Sequence, residues 1–144
     1  MASNIDRAKD IFNRVDKDHL FLIQEFYDSD ALFQDPIHKV NGVRAIESYY
    51  AGLYKNVKSI RFDYKSSSEV ENFVTLEWTM HLIALQLNSG REITLDGVSL
   101  ITFGGRQGKV VAHRDYFDMG EFIYERIPLL GTAIGFIKNK MKGN

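Results

Sequence analysis

Apolar residues recur at three- and four-residue intervals near the start of the chain, at Ile5, Ala8, Phe12 and Val15, and again at Leu20, Ile23, Phe26 and Tyr27. Such spacing places one apolar stripe on a helix. Two helices are therefore predicted, the first capped by Ser3 or Asn4 and the second shorter, with Asp16-Lys17-Asp18 between them. Asp28-Ser29-Asp30 has turn chemistry. Ala31 to Pro36 reads as a short extended segment, because a residue preceding proline is driven out of the helical region, and here that residue is Asp35. Asn41-Gly42 starts a third helix, Val43 to about Asn56, with Val43, Ile46, Tyr50 and Leu53 on one face.

From Ser59 the period falls from 3.6 to two. Ile60, Phe62 and Tyr64 alternate with Arg61, Asp63 and Lys65 as in a half-exposed strand. Ser66 to Asn72 reads as a polar connection. Phe73 to Leu87 and Arg91 to Phe103 form a long apolar hairpin about Asn88-Ser89-Gly90. Gly104-Gly105-Arg106-Gln107-Gly108 is a second hairpin turn rather than a phosphate cradle, since it joins two strands and no helix N-terminus follows it. The next strand, Lys109 to Asp118, carries His113, Asp115 and Asp118 where aliphatics would be ordinary. Alternation sends Val111, His113, Asp115 and Phe117 to one face, with His113 and Asp115 ~6.6 Å apart along it. Because the long strands are apolar on both faces, both need cover. Helices would supply one, and a homodimer through the outer sheet face, or the C-terminal segment wrapping round, the other. The C-terminal extension, 119–144, reads as a helix from Met119 to about Ile127 and a last helix with Ile134, Phe136, Ile137 and Met141 set against lysines, which would pack on the body or close over the pocket.

The 144 residues, 44% hydrophobic and 12% aromatic, suit one domain with a proper core. A net charge of −1 with interspersed signs gives no electrostatic case for nucleic acid. Without cysteine there is no disulfide or thiolate chemistry, and none of His19, His38, His81 and His113 pairs at a metal-ligand spacing, so no metal and no cofactor are expected. No apolar signal core and no membrane-length run occur, which makes a cytoplasmic protein without an integral membrane segment the expectation.

The order helix, helix, short strand, helix and long antiparallel strands resembles the cone-shaped α+β fold of the nuclear transport factor 2-like superfamily, in which N-terminal helices pack on a curved, mainly antiparallel sheet. Asp28 to Leu53, with Phe33-Gln34-Asp35-Pro36, Gly42, Ala45-Ile46 and Tyr49-Tyr50, is similar to the aspartate-proline segment and third helix of ketosteroid isomerases and SnoaL-like polyketide cyclases. Gly108-Lys109-Val110 through Phe117-Asp118 resembles the last strand of SnoaL-like domains. The resemblance implies that Asp35 matches the general base of the isomerases. It also exposes departures: their oxyanion tyrosine falls at Ile11, beside Phe12, and their protonated aspartic acid falls near Ser99. His113 and Asp115 stand where a steroid pocket is apolar, which argues for a smaller or more polar ligand.

The expected site is therefore a polar pocket for a small organic molecule. Asp35 would be the base, His113 the proton donor or oxyanion partner, and Asp115 the group orienting His113, in a proton transfer α to a carbonyl of isomerase or cyclase type. Tyr27, Phe33, Tyr50, Trp78, His81, Ser99 and Phe117 would contact the ligand. The alternatives are a ligand-binding module without turnover, and a protein-interaction module of the same fold. At Asp35 the competing role is purely local, a turn carboxylate bonded to nearby backbone N–H groups.

Overall fold

A computed structural model describes residues 3–85, 87–118, 120 and 128–143. Helix α1 (Asn4–Arg14) starts at Ser3, whose hydroxyl accepts the Asp6 N–H, and buries Ala8 and Ile11; α2 (Leu22–Phe26) buries Leu22, Ile23 and Phe26. Strands β1 (Tyr27–Gln34) and β2 (Lys39–Asn41) precede α3 (Val43–Tyr54), after which β3 (Val57–Val70), β4 (Phe73–Ala84), β5 (Ile93–Thr102) and β6 (Val110–Phe117) follow in succession. Helix α4 (Pro128–Met141) is the C-terminal element, starting earlier than the pattern indicated. The helix expected from Met119 to about Ile127 lies outside the described residues, apart from Gly120. Among the described residues no helix is long and apolar enough to cross a membrane.

The strands form one sheet in the order β2-β1-β6-β5-β4-β3. Every neighbouring pair is antiparallel except β1 and β6, which run parallel. This is the expected α+β architecture, with α1, α2 and α3 on the inner face. Val74, Leu76, Trp78, Met80, Leu82 and Ala84 of β4 are buried there, opposite Ile93, Leu95, Ser99 and Ile101 of β5. The outer face is less apolar than the sequence suggested. Val98 and Leu100 share it with a His81–Asp63 pair and with Asp96, which bonds Thr79 and Lys65. A homodimer through this face would cover Val98 and Leu100 together with those charged pairs.

Several local expectations are corrected. Asp28-Ser29-Asp30 is not a turn; β1 begins at Tyr27, so Tyr27 leaves the second helix and becomes the first strand residue. Ser66 to Val70 is strand, paired from Ser67↔Leu76 to Val70↔Phe73, and only Glu71 and Asn72 turn the chain. β3 is an edge strand whose far end has water on both faces, so its exposed serines and glutamate carry no apolar period. Along β6, Val110 is fully buried while Val111 is exposed, the reverse of the simple alternation. The register against β1 shifts between Tyr27↔Val110 and Leu32↔Ala112, and this irregularity resets the faces so that His113, Asp115 and Phe117 point inward.

Candidate functional site

Between the inner face of the sheet and the helices α1 and α3 lies a cavity of about 120 Å³. Its wall carries eight aromatic residues: Phe12 from α1, Phe33 from β1, Tyr50 and Tyr54 from α3, Phe62 and Tyr64 from β3, Trp78 from β4 and Phe117 from β6. Aliphatic residues complete it, and its polar members are Asp35, Ser99, His113 and Asp115. Period-two alternation brings the β3, β4, β5 and β6 members to one face, and a four-residue step along α3 aligns Ile46, Tyr50 and Tyr54.

His113 is 3% exposed and held from two sides. Nε2 lies 2.6 Å from Asp115 Oδ1 and Nδ1 2.6 Å from the Tyr27 hydroxyl. An ionised carboxylate only accepts, so Nε2 carries a hydrogen; in the neutral ring Nδ1 then accepts from Tyr27. The Tyr27 oxygen in turn lies 3.3 Å from the Tyr50 hydroxyl. On the far side, Trp78 Nε1–H donates to Ser99 Oγ at 2.9 Å, and Ser99 donates to the same Asp115 Oδ1 at 2.5 Å. Rings of Phe12, Phe33 and Tyr27 surround the imidazole at centroid distances of 5.2, 4.9 and 5.9 Å. Asp115 Oδ1 is thus fully engaged, whereas Oδ2 receives no hydrogen bond from the described residues.

Asp35 is bound differently. One carboxylate oxygen accepts the backbone N–H groups of Ile37 and His38 at 2.8 and 3.0 Å, and the Tyr49 hydroxyl reaches both oxygens at 2.9 and 2.8 Å. This is the local, turn-capping geometry open to an Asp-Pro sequence. Pairing of Gln34 with Arg114 sets Asp35, the next residue, level with Asp115 on the neighbouring strand, and adjacent strands lie ~4.8 Å apart. The two acids therefore share the cavity wall, one with its oxygens occupied and the other with one free.

Burial raises the pKa of five tyrosines. Tyr27 and Tyr50 lie well above the ordinary value, chiefly through desolvation. Tyr49, Tyr54 and Tyr64 are raised for the same leading reason, and the Asp115 charge adds to the rise at all five. The phenols of the wall therefore keep their protons and remain hydrogen-bond donors. The Tyr64 hydroxyl is buried yet has no hydrogen-bond partner among the described residues.

Of the residues singled out from the sequence, Phe33, Asp35, Tyr50, Trp78, Ser99, His113, Asp115 and Phe117 line the cavity. Tyr27 lies behind the wall and acts on it through His113. His81 is excluded: it sits on the outer face, 2.8 Å from Asp63 and 3.6 Å from Glu92, because odd-numbered β4 residues point away from the helices. Asp96 lies on that outer side as well. Sequence reasoning missed Tyr54, Tyr64 and Phe12 as wall residues and Tyr49 as the partner of Asp35. The four-residue step Ile46, Tyr50, Tyr54 was the available signal for the first of these. No described side chain of α4 lines the cavity, and Phe136, Ile137 and Met141 are exposed, so the closing role expected for this helix is not seen.

A family model for the SnoaL-like domain matches residues 8–113. No curated protein matches the sequence. Among solved structures, a protein from Shewanella putrefaciens CN-32, provisionally described as a SnoaL-like polyketide cyclase, superposes with a TM-score of 0.74 at 14% identity, covering 90% of this chain and 88% of its own. An NTF2-like protein of unknown function from Burkholderia pseudomallei K96243 gives 0.71 at 17% identity, with 85% and 98% covered. A hypothetical protein with a ketosteroid isomerase-like fold from Catenulispora acidiphila DSM 44928, in complex with trimethylamine, gives 0.69 at 12%, with 85% and 91% covered. Likeness at these identities speaks for the fold.

Proposed function

The chain belongs to the SnoaL-like domain family, and from that premise we propose that it binds a small organic molecule in the aromatic cavity and transfers a proton on it, with Asp115 as the base. The observation that carries this is the asymmetry of Asp115: Oδ1 is fixed by His113 and Ser99, while Oδ2, on a largely apolar wall, is unpartnered among the described residues. A fixed carboxylate with one free oxygen is what removal of a proton α to a carbonyl requires.

The roles differ from those the sequence suggested. His113 has both ring nitrogens engaged, so it positions Asp115 rather than being positioned by it. Asp35, held by three donors, supports the wall. In the proposed step the α C–H bond breaks, its proton passes to Asp115 Oδ2, and the electron pair moves onto the carbonyl oxygen, where the Tyr64 phenol, which has no hydrogen-bond partner among the described residues, can donate. Return of the proton to another carbon completes an isomerisation; attack of the enolate carbon on a second carbonyl, whose oxygen takes up the pair and then the proton from Asp115, completes a cyclisation. The cavity size supports a compact ligand: about 120 Å³ is below the ~150 Å³ that accommodates benzene, and far below a four-ring steroid. The trimethylamine bound by the Catenulispora protein is likewise small.

The test is deuterium incorporation from D₂O into a panel of small ketones, followed by proton NMR. The wild type should accelerate exchange for at least one member, and Asp115→Asn should lower that rate by roughly 10²–10⁴-fold, the usual contribution of a positioned base. Exchange unaffected by Asp115→Asn would refute the assignment.

A further inference from the structure

We infer that the molecule this cavity takes is a small organic cation, an ammonium-bearing compound, which deepens the proposed function and rests on the cavity being a ligand site. Three features carry it. Among the described residues the wall has two carboxylates, Asp35 and Asp115, and no lysine or arginine. Its one imidazole, His113, has both nitrogens committed to Tyr27 and Asp115. Beyond these and Ser99, the described wall residues are eight aromatics and seven aliphatics, and desolvated aromatic faces attract cations. Lys9, which is not part of the lining, already sits with its ammonium 5.6 Å from the Tyr64 ring centroid, so at least one wall ring has a cation near it.

The proton transfer itself makes the same demand. Moving a proton from carbon to Asp115 neutralises that carboxylate and places a negative charge on the ligand, still beside Asp35. The phenols that could meet this charge hold their protons tightly, and no described residue of the wall is a free cation. A ligand with its own ammonium group supplies the missing positive charge, so that deprotonation gives a zwitterion rather than an anion beside Asp35. The buried Tyr64 hydroxyl, without a partner among the described residues, is available for a polar substituent on the same small molecule.

The experiment uses the single tryptophan, Trp78, which lines the cavity and reports occupancy by fluorescence. The intact protein is titrated with choline, with tetramethylammonium, and with the uncharged carbon isostere of choline in which a tert-butyl group replaces the trimethylammonium group, all at matched ionic strength. The expected result is saturable binding of at least one cation, tighter than the isostere by roughly tenfold or more. That preference should collapse in Asp115→Asn, whose amide can still accept at Oδ1. Phe62→Leu, which leaves the hydrogen-bond network untouched, should weaken cation binding more than isostere binding. Isostere binding as tight as the cations', or a cation preference unchanged in both variants, overturns the inference and leaves the ligand site standing. No saturable response to any of the three overturns the cation inference and the ligand-site proposal together.

Discussion

Asp115 and Asp35 show how two acids on neighbouring strands acquire different work from their hydrogen bonds alone. The sequence made the His113–Asp115 pair legible, because a two-residue step on a strand puts both on one face, and their side chains do meet at 2.6 Å. It could not reveal that His113 is gripped from behind by Tyr27, a residue whose spacing with Leu20, Ile23 and Phe26 suited a helix. The backbone leaves that helix one residue earlier, and the parallel pairing of β1 with β6 brings Tyr27 beside His113. Tyr27→Phe should therefore leave a buried imidazole nitrogen unpartnered. Denaturant unfolding should register a loss of about 1–3 kcal/mol, with the cavity itself retained; an unchanged midpoint would mean that the Tyr27 bond contributes nothing.

Among the elements, β4 and β5 set the cavity's shape through one close approach. The Trp78 indole lies flat against Gly97, where an added Cβ would fall 2.2 Å from its ring. That contact frees the space in front of Trp78 and aims Nε1 at Ser99. Gly97→Ala should push the ring off this position and break the Ser99 bond, destabilising the protein by about 1–3 kcal/mol as overpacking does, with a shifted Trp78 emission spectrum as the readout. The order of helices and strands was readable from periodicity. What was not readable was the far half of β3, an exposed edge without an apolar face, or the β6 irregularity that reverses Val110 and Val111. The Asp28 segment misled for a related reason. Its carboxylate accepts the Arg106 and Asp30 N–H groups, which hold its pKa below the ordinary range. A residue with turn chemistry here caps a distant turn while standing in a strand.

For the whole molecule, the aromatic cavity makes the fold sensitive to alkali. Tyr27, Tyr49, Tyr50, Tyr54 and Tyr64, five of the seven tyrosines, have folded values raised by burial above the unfolded value of about 10. Above that pH the unfolded chain releases protons that the folded chain keeps, so stability is complete below about 10 and falls as the pH rises toward the folded values. Absorbance titration should show these five phenols ionising only together with unfolding. Free titration of all the phenols near 10 in the folded protein would contradict the burial described. The central claim is that Asp115 acts on the ligand while Asp35 supports the wall. Its most direct measurement is the α-proton exchange rate, on one responsive ketone, of Asp35→Asn beside Asp115→Asn, each with its thermal midpoint. The account predicts that Asp35→Asn melts several degrees lower yet exchanges within about tenfold of wild type, while Asp115→Asn keeps its fold and loses exchange by roughly 10²-fold or more. Exchange abolished in Asp35→Asn and preserved in Asp115→Asn would contradict it.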